Sequence, residues 1–340
     1  ITVESTKRDI SKRQRWEPFL TASAETKLQQ NLYKTPLGNK LILEEVHDEL
    51  GLIFRYRWAY SERFGFIRSC ELINENAHNV QLELIDGIQN LLPHGLESEF
   101  TMRFSNLGNA YKKSERVADS DLGIFYLSSI PTDRAEPSEG LKATIAWQTG
   151  LAPDCILLST QQLKKNAASN DQHQAFKDET DIRGKQGAFL ACKKITLAAK
   201  TSQSWHIIAD VDKDHSDVIG LNDWIQNSND VAVQIERDIL AGESHLKGII
   251  GSADGFQCGS NLRRLDRHIS NTIFNAMRGG IPLDGYQVPT TDFRSHLKHF
   301  NQEVYQKQQE LIENLPEKVL CSELQRITSA TNDADLTRLT

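Results

Sequence analysis

Apolar residues recur at every second position over much of residues 40–211, and this alternation constrains the fold more than any other feature. In the clearest run the alternating residues are Phe54, Tyr56, Trp58 and Tyr60, with Arg55, Arg57 and Ala59 between them. The pattern resumes after a short interruption at 61–63 and continues to Leu72. Alternation of this kind is typical of an antiparallel hairpin with one buried face.

Similar stretches follow along the same part of the chain. They are Leu41–Val46, Val80–Ile85, Gly123–Ile130, Leu141–Trp147, Cys155–Leu158, Ala188–Leu197 and Trp205–Val211. Many strands joined by turns, with only short helical patches between them, indicate a large β-sandwich rather than a sheet of βαβ units.

At about Ser216 the spacing of the apolar residues changes to that of a helix. One series contains Val231, Ile235, Ile239 and Leu246, and a second contains Leu262, Leu265, Ile269, Ile273 and Met277. A third contains Phe293, Leu297, Phe300, Val304, Leu311 and Leu315, and it predicts a helical stretch bounded by Pro289 and Pro316. We therefore predict a mainly β fold with a C-terminal helical segment. The expected parts are a loosely held arm at 1–39 anchored by Trp16 and Phe19, a sandwich at 40–215 and helices at 216–340.

Composition excludes several classes of protein. The net charge of −7 argues against nucleic acid as a partner, because neutralising phosphates requires clustered Lys and Arg. No apolar stretch approaches the roughly 20 residues that span a bilayer, so we expect no membrane association. The five cysteines are scattered without a CxxC pair, which favours reduced thiols and a cytoplasmic location. The chain begins at Ile1 without a leader, and we expect it to be part of a longer protein.

Polar side chains cluster in the run Asp86–Gly95, which follows a strand-like stretch. Binding residues favour loops that a rigid scaffold presents, so this run predicts a binding loop with Asp86, Gln89 and Asn90 as ligand contacts. A second such segment follows another strand and offers Arg134 between two acids, with Glu136 as a further contact. A structural salt bridge that locks a turn is the alternative for this second segment.

Signatures of catalysis or metal binding are weak. No Gly-x-Ser-x-Gly elbow, the motif of a serine nucleophile, occurs. Glycoside hydrolysis requires two carboxyls across a sugar, and the candidates for such a pair are Glu97, Glu99, Asp133 and Glu136. The acids of Asp210–Asp214 resemble the start of a calcium loop, but His215 and Leu221 stand where that loop needs Gly and Glu. We interpret the acids as a strand end before a helix capped by Ser216 or Asp217. His296 and His299 fit an ordinary helix face better than a metal site. We predict no cofactor and no metal.

Several motifs together resemble one group of large bacterial enzymes. They are Asp86–Gly95, Ser105–Tyr111, Asp133–Pro137, Leu141–Thr144, Glu179–Ala188, Asp266–His268 and Asn275–Gly280. In this order, from about residue 40 to about 315, they resemble cellobiose-phosphorylase-type enzymes of glycoside hydrolase family 94.

The resemblance implies a galactose-mutarotase-like β-supersandwich, followed by linker helices and then by an (α/α)₆ barrel that carries the catalytic acid. This chain would then be the non-catalytic front of a carbohydrate-active enzyme. Its partners would be a carbohydrate, the downstream barrel and a second copy in a homodimer. The alternatives are a stand-alone sugar epimerase that uses His94 with Glu97 or Glu99, and a carbohydrate-binding module. An exposed aromatic platform on one sheet face would favour the binding module.

Overall fold

The computed structural model describes residues 2–7, 10–20, 28–96, 98–103, 105–117, 119–128, 141–168, 175–253, 255–257, 259–279 and 285–340. The chain divides into two compact units, one of residues 1–35 and 39–242 and the other of residues 36–38 and 243–340. The strands are β1 (Thr2–Lys7), β2 (Ile10–Arg15), β3 (Leu28–Lys34), β4 (Leu41–His47), β5 (Leu52–Ser61), β6 (Gly65–Asn74), β7 (Val80–Leu91), β8 (Lys112–Val117), β9 (Leu122–Leu127), β10 (Ala143–Thr149), β11 (Cys155–Ser159), β12 (Asp181–Arg183), β13 (Gly187–Leu197), β14 (Ser202–Lys213), β15 (Gln287–Pro289) and β16 (Lys318–Leu320). The helices are α1 (Ser98–Arg103), α2 (Ser105–Ala110), α3 (Gln161–Ala168), α4 (His215–Asn227), α5 (Val231–Ser252), α6 (Leu262–Met277), α7 (Thr290–Phe300), α8 (Gln302–Lys307), α9 (Gln309–Glu313), α10 (Cys321–Ala330) and α11 (Ala334–Leu339).

The first unit contains the predicted sandwich, so the expected fold class, β strands followed by C-terminal helices, is confirmed. Among the described residues one sheet has nine strands in the order β12-β8-β9-β10-β14-β6-β5-β4-β3, and the other has five in the order β11-β13-β7-β1-β2. Every pairing is antiparallel. Each alternating stretch of the sequence overlaps one of these strands, because period-two burial is what a sheet with a core-facing side produces.

Apolar side chains from both sheets meet in one buried cluster. The nine-stranded sheet contributes Phe54, Leu72, Phe125 and Trp205, and the five-stranded sheet contributes Leu82, Leu84, Ile156 and Phe189. Each of these side chains is 6% exposed or less. Burial of one such side chain is worth about 1.5–3 kcal/mol, so this cluster is the main stabilising element of the sandwich.

Helices cover the far side of the nine-stranded sheet. The second buried cluster joins Ile67, Ile145, Trp147 and Ile208 of the sheet to Leu221 and Trp224 of α4 and to Ile235 and Ile239 of α5. The first half of α5 is also fastened to β5, since Arg57 forms an ion pair with Glu236 and Ser61 donates a hydrogen bond to Asp238.

The N-terminal residues contain strands where a loosely held arm was predicted. β1 pairs with β2 and also with β7 of the five-stranded sheet, and β3 is an edge strand of the other sheet. The predicted anchors are confirmed. Trp16 is buried and its Nε1 donates to Glu45 Oε1 at 2.6 Å, while the backbone N–H of Phe19 donates to the other carboxylate oxygen at 2.8 Å. Glu45 is fully buried, and these bonds satisfy its charge.

The second unit contains a small core of its own near the C-terminus. Its buried members are Phe293, Leu297, Val304, Tyr305, Ile312, Val319, Leu324 and Leu336. The stretch predicted to be helical here is divided into three helices, α7, α8 and α9, in succession. Asn301 leaves the helical conformation, with φ −156 and ψ 89, and its side chain caps α8 by accepting from Val304 N–H at 3.1 Å. Phe300, the last residue of α7 and a member of the predicted apolar series, is 65% exposed.

No helix in the described part of the chain combines the length and the apolar character that crossing a membrane requires.

Candidate functional site

The predicted binding segment Asp86–Gly95 is a strand over most of its length. β7 continues to Leu91, so the loop prediction is wrong up to that residue. Gly87 pairs with Leu190 of β13, and a Cβ added at Gly87 would lie 1.8 Å from the carbonyl oxygen of Phe189. Glycine is therefore needed here for the close approach of two strands and not for a turn.

Asp86 forms a polar bridge between the two sheets. From β7 its carboxylate pairs with the guanidinium of Arg68 on β6, and it accepts a hydrogen bond from Trp205 Nε1 on β14 at 2.7 Å. The Cys70 Sγ lies 3.5 Å from the same carboxylate. The side chains of Asp86 and Arg68 are 12% and 13% exposed, so this ion pair is largely withdrawn from water.

The ionisation of the neighbouring groups follows from this burial. Burial alone would lower the pKa of the Arg68 guanidinium, but the charge of Asp86 raises it above the ordinary value. Burial also raises the pKa of the Cys70 thiol well above its usual range, and the Asp86 carboxylate adds to the effect. The bridge is thus a fixed carboxylate–guanidinium pair beside a neutral thiol.

Gln89 and Asn90 do not join Asp86. An odd spacing along a strand places Gln89 on the opposite face of β7 from Asp86, where it is exposed. Asn90 is the extra residue of a β-bulge, because Leu91 pairs with Gly187 while Gln89 pairs with Ala188. Its φ of 62 lies in the left-handed region, which Asn tolerates better than most residues.

The nominated acid–base residue His94 follows β7 in a turn and is half-buried. Its Nε2 lies 3.6 Å from Asp212 Oδ1, and Lys142 Nζ binds the same oxygen. The hydrogen bond from Lys142 lowers the pKa of the Asp212 carboxyl. Glu97, Arg134 and Glu136 lie outside the residues that the structure describes. The described part of Asp86–Gly95 therefore supplies an inter-sheet bridge, a bulge and a surface ion pair at separate places.

A different group of residues lines a half-open cavity of about 300 Å³. It lies among the β5–β6 turn, β10, β14 and α4. The helix α4 begins at His215 with a reciprocal capping box, in which Asp214 Oδ1 accepts from Asp217 N–H at 2.9 Å and Asp217 Oδ2 accepts from Asp214 N–H at 3.1 Å. This cap fixes where α4 starts, so that Leu221 and Trp224, three residues apart, lie on the face against the sheet.

Three aromatic rings form one side of the cavity. The ring centroids of Phe64 and Trp224 are 4.9 Å apart, and those of Trp147 and Trp224 are 6.0 Å apart in an edge-to-face arrangement. The guanidinium of Arg63 lies 4.8 Å from the Trp224 centroid and 5.0 Å from the Phe64 centroid. These are favourable aromatic and cation–π contacts, so the wall is well ordered by its own packing.

Charged groups form another part of the lining. Lys213 Nζ pairs with Asp210 Oδ2 at 2.6 Å. Burial alone would lower the pKa of Lys213, but the hydrogen bond to Asp210 and the charges of Asp210 and Asp217 raise it. Trp147 is 1% exposed, and its Nε1 has no hydrogen-bond partner among the described residues. The cavity lining therefore combines an apolar wall with the ion pair of Asp210 and Lys213.

Sequence reasoning did not find this cavity. Trp147 was placed only at the end of the strand-like stretch Leu141–Trp147, and the acids of Asp210–Asp214 were interpreted as a strand end before a helix. Both interpretations describe part of the structure, although Asp214 caps the helix and the predicted Ser216 and Asp217 lie inside it. One feature of the sequence could have indicated the cavity. Asp210, Lys213 and Trp224 lie close together along the chain, where a strand is followed directly by a helix.

A family model matches the C-terminal part of the chain. Residues 284–340 match glycoside hydrolase family 149 insertion domain 1. The match covers nearly the same residues as the small C-terminal core, whose buried and packed members run from Val288 to Leu339. Comparison with curated protein sequences gave no match.

Solved structures resemble the chain only remotely. A polysaccharide lyase matches with a TM-score of 0.34 and 10% identity over 64% of this chain and 25% of its own. A bacterial glucoamylase solved with acarbose matches with a TM-score of 0.33 and 10% identity over 80% of this chain and 32% of its own. A putative kojibiose phosphorylase from the human microbiome matches with a TM-score of 0.31 and 9% identity over 74% and 25%. This chain thus spans a third or less of the length of each structure, and the TM-scores are too low to establish a common fold.

Proposed function

We propose that this chain is the sandwich and linker part of a carbohydrate-active enzyme of the glycoside hydrolase or phosphorylase type. It helps to shape a sugar site or an interface between domains and does not catalyse a reaction by itself. The observation that carries the proposal is the match of residues 284–340 to an insertion domain of glycoside hydrolase family 149. The sequence resemblance to cellobiose-phosphorylase-type enzymes of family 94 supports it from the other part of the chain.

The contacts that Asp86 and His94 make agree with a non-catalytic role. Asp86 is committed to the bridge between the sheets, and His94 lies beside a carboxylate that Lys142 already neutralises. A general base must be free to reach its substrate proton. We therefore assign the chemistry to a barrel domain of the whole protein, with a carbohydrate as ligand and a second copy of the protein as partner.

Activity measurements on two lengths of the protein test this proposal. The present 340 residues are expected to give no turnover of aryl glycosides, and none of disaccharide plus phosphate. The full protein is expected to be active on one of these substrates. Robust turnover by the 340 residues alone would refute the non-catalytic role, and an inactive full protein would refute the enzyme class.

The epimerase alternative has its own assay. Polarimetric mutarotation of glucose or galactose is expected to proceed at the background rate with the wild-type chain and with His94→Ala alike. A wild-type rate above background that His94→Ala abolishes would establish the epimerase instead.

One observation favours a second candidate, a carbohydrate-binding module. Tyr60 and Phe66 face each other across β5 and β6, 57% and 53% exposed, with their ring centroids 5.5 Å apart. Exposed aromatic rings of this kind can stack against sugar rings. Calorimetric titration with oligosaccharides tests this platform, with Tyr60→Ala as the variant and Tyr33→Ala, also exposed on a strand, as the matched control. Binding that Tyr60→Ala weakens and Tyr33→Ala leaves intact would favour the module.

A further inference from the structure

Two free cysteines face each other at one edge of the five-stranded sheet. Cys155 is the first residue of the edge strand β11, and Cys192 is its direct partner on β13. Directly opposed residues of an antiparallel pair lie about 4.5–5.5 Å apart at Cα. A disulfide bridges Cα separations of about 4.4–6.8 Å. The register of the two strands therefore holds this pair at the separation that a disulfide needs.

The pair is distinguished from the other cysteines by this register. Of the four cysteines in the described part of the chain, only Cys155 and Cys192 are partners in a strand pairing. Cys70 lies between the sheets beside Asp86, and Cys321 begins α10 in the second unit. An oxidant that links two cysteines of the folded chain is therefore expected to link these two.

The two thiols also interact with each other. A hydrogen bond from the Cys192 thiol lowers the pKa of Cys155, against the burial of Cys155 and the charges of Asp178 and Asp154. The same hydrogen bond, together with burial, raises the pKa of Cys192. The thiolate is the form of cysteine that attacks a disulfide. Cys155 is therefore the nucleophile of the pair, and Cys192 is the thiol that stabilises it.

The position of Cys155 at a strand end gives access to the pair. Cys155 is 9% exposed and Cys192 is 6% exposed. The preceding residue, Asp154, lies at the surface and accepts hydrogen bonds from Lys193 Nζ at 2.9 Å and from Lys194 N–H at 2.8 Å. The ends of elements open locally at a small cost in free energy, so a small oxidant needs to displace only the start of β11.

We propose that Cys155 and Cys192 form a site of reversible oxidation, at which a low-molecular-weight disulfide such as oxidised glutathione converts the two thiols into a disulfide between β11 and β13. In the first step the Cys155 thiolate attacks one sulfur of oxidised glutathione, which forms a mixed disulfide and releases one glutathione thiolate. In the second step the Cys192 thiol loses its proton, and its sulfur attacks Cys155 Sγ and displaces the second glutathione. Two protein thiols are oxidised, one glutathione disulfide is reduced to two thiols, and the two protons pass to those thiols.

The disulfide fastens more than β11 itself. Beyond the strand, Glu179 Oε2 accepts from the backbone N–H groups of Leu158 at 2.8 Å and Ser159 at 2.9 Å. The other oxygen of this carboxylate accepts from Gln162 Nε2 of α3 at 2.8 Å. A covalent link at Cys155 therefore ties β11, and through it the segment around α3, to the body of the sandwich. This role does not depend on whether the protein acts on carbohydrates.

Peptide mapping of the 340-residue chain tests the site. The chain is equilibrated with reduced and oxidised glutathione, free thiols are blocked with N-ethylmaleimide in denaturant, and the peptides are identified by mass spectrometry. A Cys155–Cys192 link is expected to form and to disappear with dithiothreitol, while Cys70 and Cys321 remain free thiols. Absence of this link, both with oxidised glutathione and with the smaller oxidant diamide, would overturn the proposal. A link that forms only in denaturant would also overturn it.

Single substitutions separate the roles of the two cysteines. In Cys192→Ala no second thiol displaces glutathione, so the mixed disulfide is expected to accumulate at Cys155. In Cys155→Ala the buried Cys192 is expected to carry at least about tenfold less adduct, because it is the poorer thiolate. Cys321→Ala is the matched control and is expected to form the Cys155–Cys192 link as the wild type does. Equal adduct in the first two variants would overturn the assignment of Cys155 as the nucleophile.

Hydrogen exchange measures the fastening of the sheet edge. The backbone amides of β11 are expected to exchange at least about tenfold more slowly in the oxidised chain than in the reduced chain, because the cross-link restricts the opened state. The amides of β5, in the other sheet, are the control and are expected to exchange equally in both states. Equal exchange of β11 in the two states would show that the disulfide does not fasten this edge.

Discussion

The sandwich and the C-terminal segment 285–340 are held together in different ways. The sandwich core joins strands that are distant in sequence, such as β5 and β13, and it also contains a buried ion pair between its sheets. The core of the C-terminal segment lies within residues 288–339, and the buried Asp333 beside it caps α11 and pairs with the exposed Lys307. A large core can tolerate an internal polar bridge, whereas a small core depends on each of its few apolar side chains.

The two regions can also be observed separately. All five tryptophans of the chain, at 16, 58, 147, 205 and 224, lie in the first unit. Tryptophan fluorescence therefore reports on the sandwich alone, while helical circular dichroism reports on both regions. Unfolding curves recorded with both signals can assign a change in stability to one region.

The largest effect is expected from breaking the bridge between the sheets. Asp86→Ala leaves Arg68 buried without its counter-charge and Trp205 Nε1–H without an acceptor, so the sandwich is expected to lose about 3–5 kcal/mol of unfolding free energy. Urea unfolding followed by tryptophan fluorescence measures this loss.

Two further variants test whether the loss of stability in Asp86→Ala comes from the unpaired buried charge of Arg68. The double variant Asp86→Leu with Arg68→Met removes both charges and is expected to recover much of the lost stability. Glu75→Ala breaks the exposed pair with Lys200 and is expected to cost less than about 1 kcal/mol. A double variant no more stable than Asp86→Ala would show that the bridge does not act through its charges.

The sequence predicts those strands of the sandwich whose burial follows the local alternation of apolar residues. The two-residue alternation identified nine of the strands because each has one face in an apolar core. β8 was missed, because Lys112 and Ser114 occupy its buried positions. Lys112 is accommodated there by a hydrogen bond from its Nζ to Asn109 Oδ1 at 2.9 Å, which no alternation rule anticipates.

The candidate sites were less predictable, because their members come together only in the folded chain. Asp86 was predicted as a ligand contact, but the structure gives it the partners Arg68 and Trp205, which lie 18 and 119 positions away along the chain. The cavity similarly assembles Arg63, Trp147 and Trp224 from three separate elements. Residue types indicate which side chains need partners, and only the topology decides which partners they find.

The C-terminal segment shows the opposite case, in which local signals were present but were not used. Asn301 lies between Phe300 and Val304 of the apolar series, and Asn is among the preferred residues at the start of a helix. The same position separates Phe300, which is exposed, from the buried Val304. The helix break was therefore predictable from residues within one turn of it.

The next largest effect is expected in the small core. Leu297 is fully buried, and Leu297→Ala is expected to cost about 2–5 kcal/mol through lost burial and the cavity left behind. Because a small core has little stability to lose, the helical circular dichroism of this segment should disappear at low urea, while the tryptophan signal keeps its wild-type midpoint. Phe300→Ala, in the same helix but exposed, is the matched control and should change neither signal. A shift of the tryptophan midpoint in Leu297→Ala would show that the two regions unfold together.

The smallest effect is expected from mild acid, and it should distinguish the regions by their titrating groups. In the sandwich, burial lowers the pKa of both His47 and His206. In the C-terminal segment the pKa of Asp333 is lowered, first by the hydrogen bond from Gln308 and then by Lys307. A lowered pKa gives stability that is complete above the unfolded-state pKa and is lost as the pH falls towards the folded-state value.

The two regions should therefore respond to acid in different pH ranges. Below the ordinary histidine pKa of about 6.5, the unfolded sandwich binds protons that His47 and His206 resist, so its urea midpoint by tryptophan fluorescence should fall between about pH 7 and pH 5. The C-terminal segment should hold its midpoint until the pH drops below about 4, the ordinary range of an aspartate. The variant His206→Gln should flatten the dependence of the sandwich, whereas His296→Gln, at a histidine of the C-terminal segment, should leave it unchanged. Equal acid sensitivity of both regions above about pH 5 would contradict this assignment of the titrating groups.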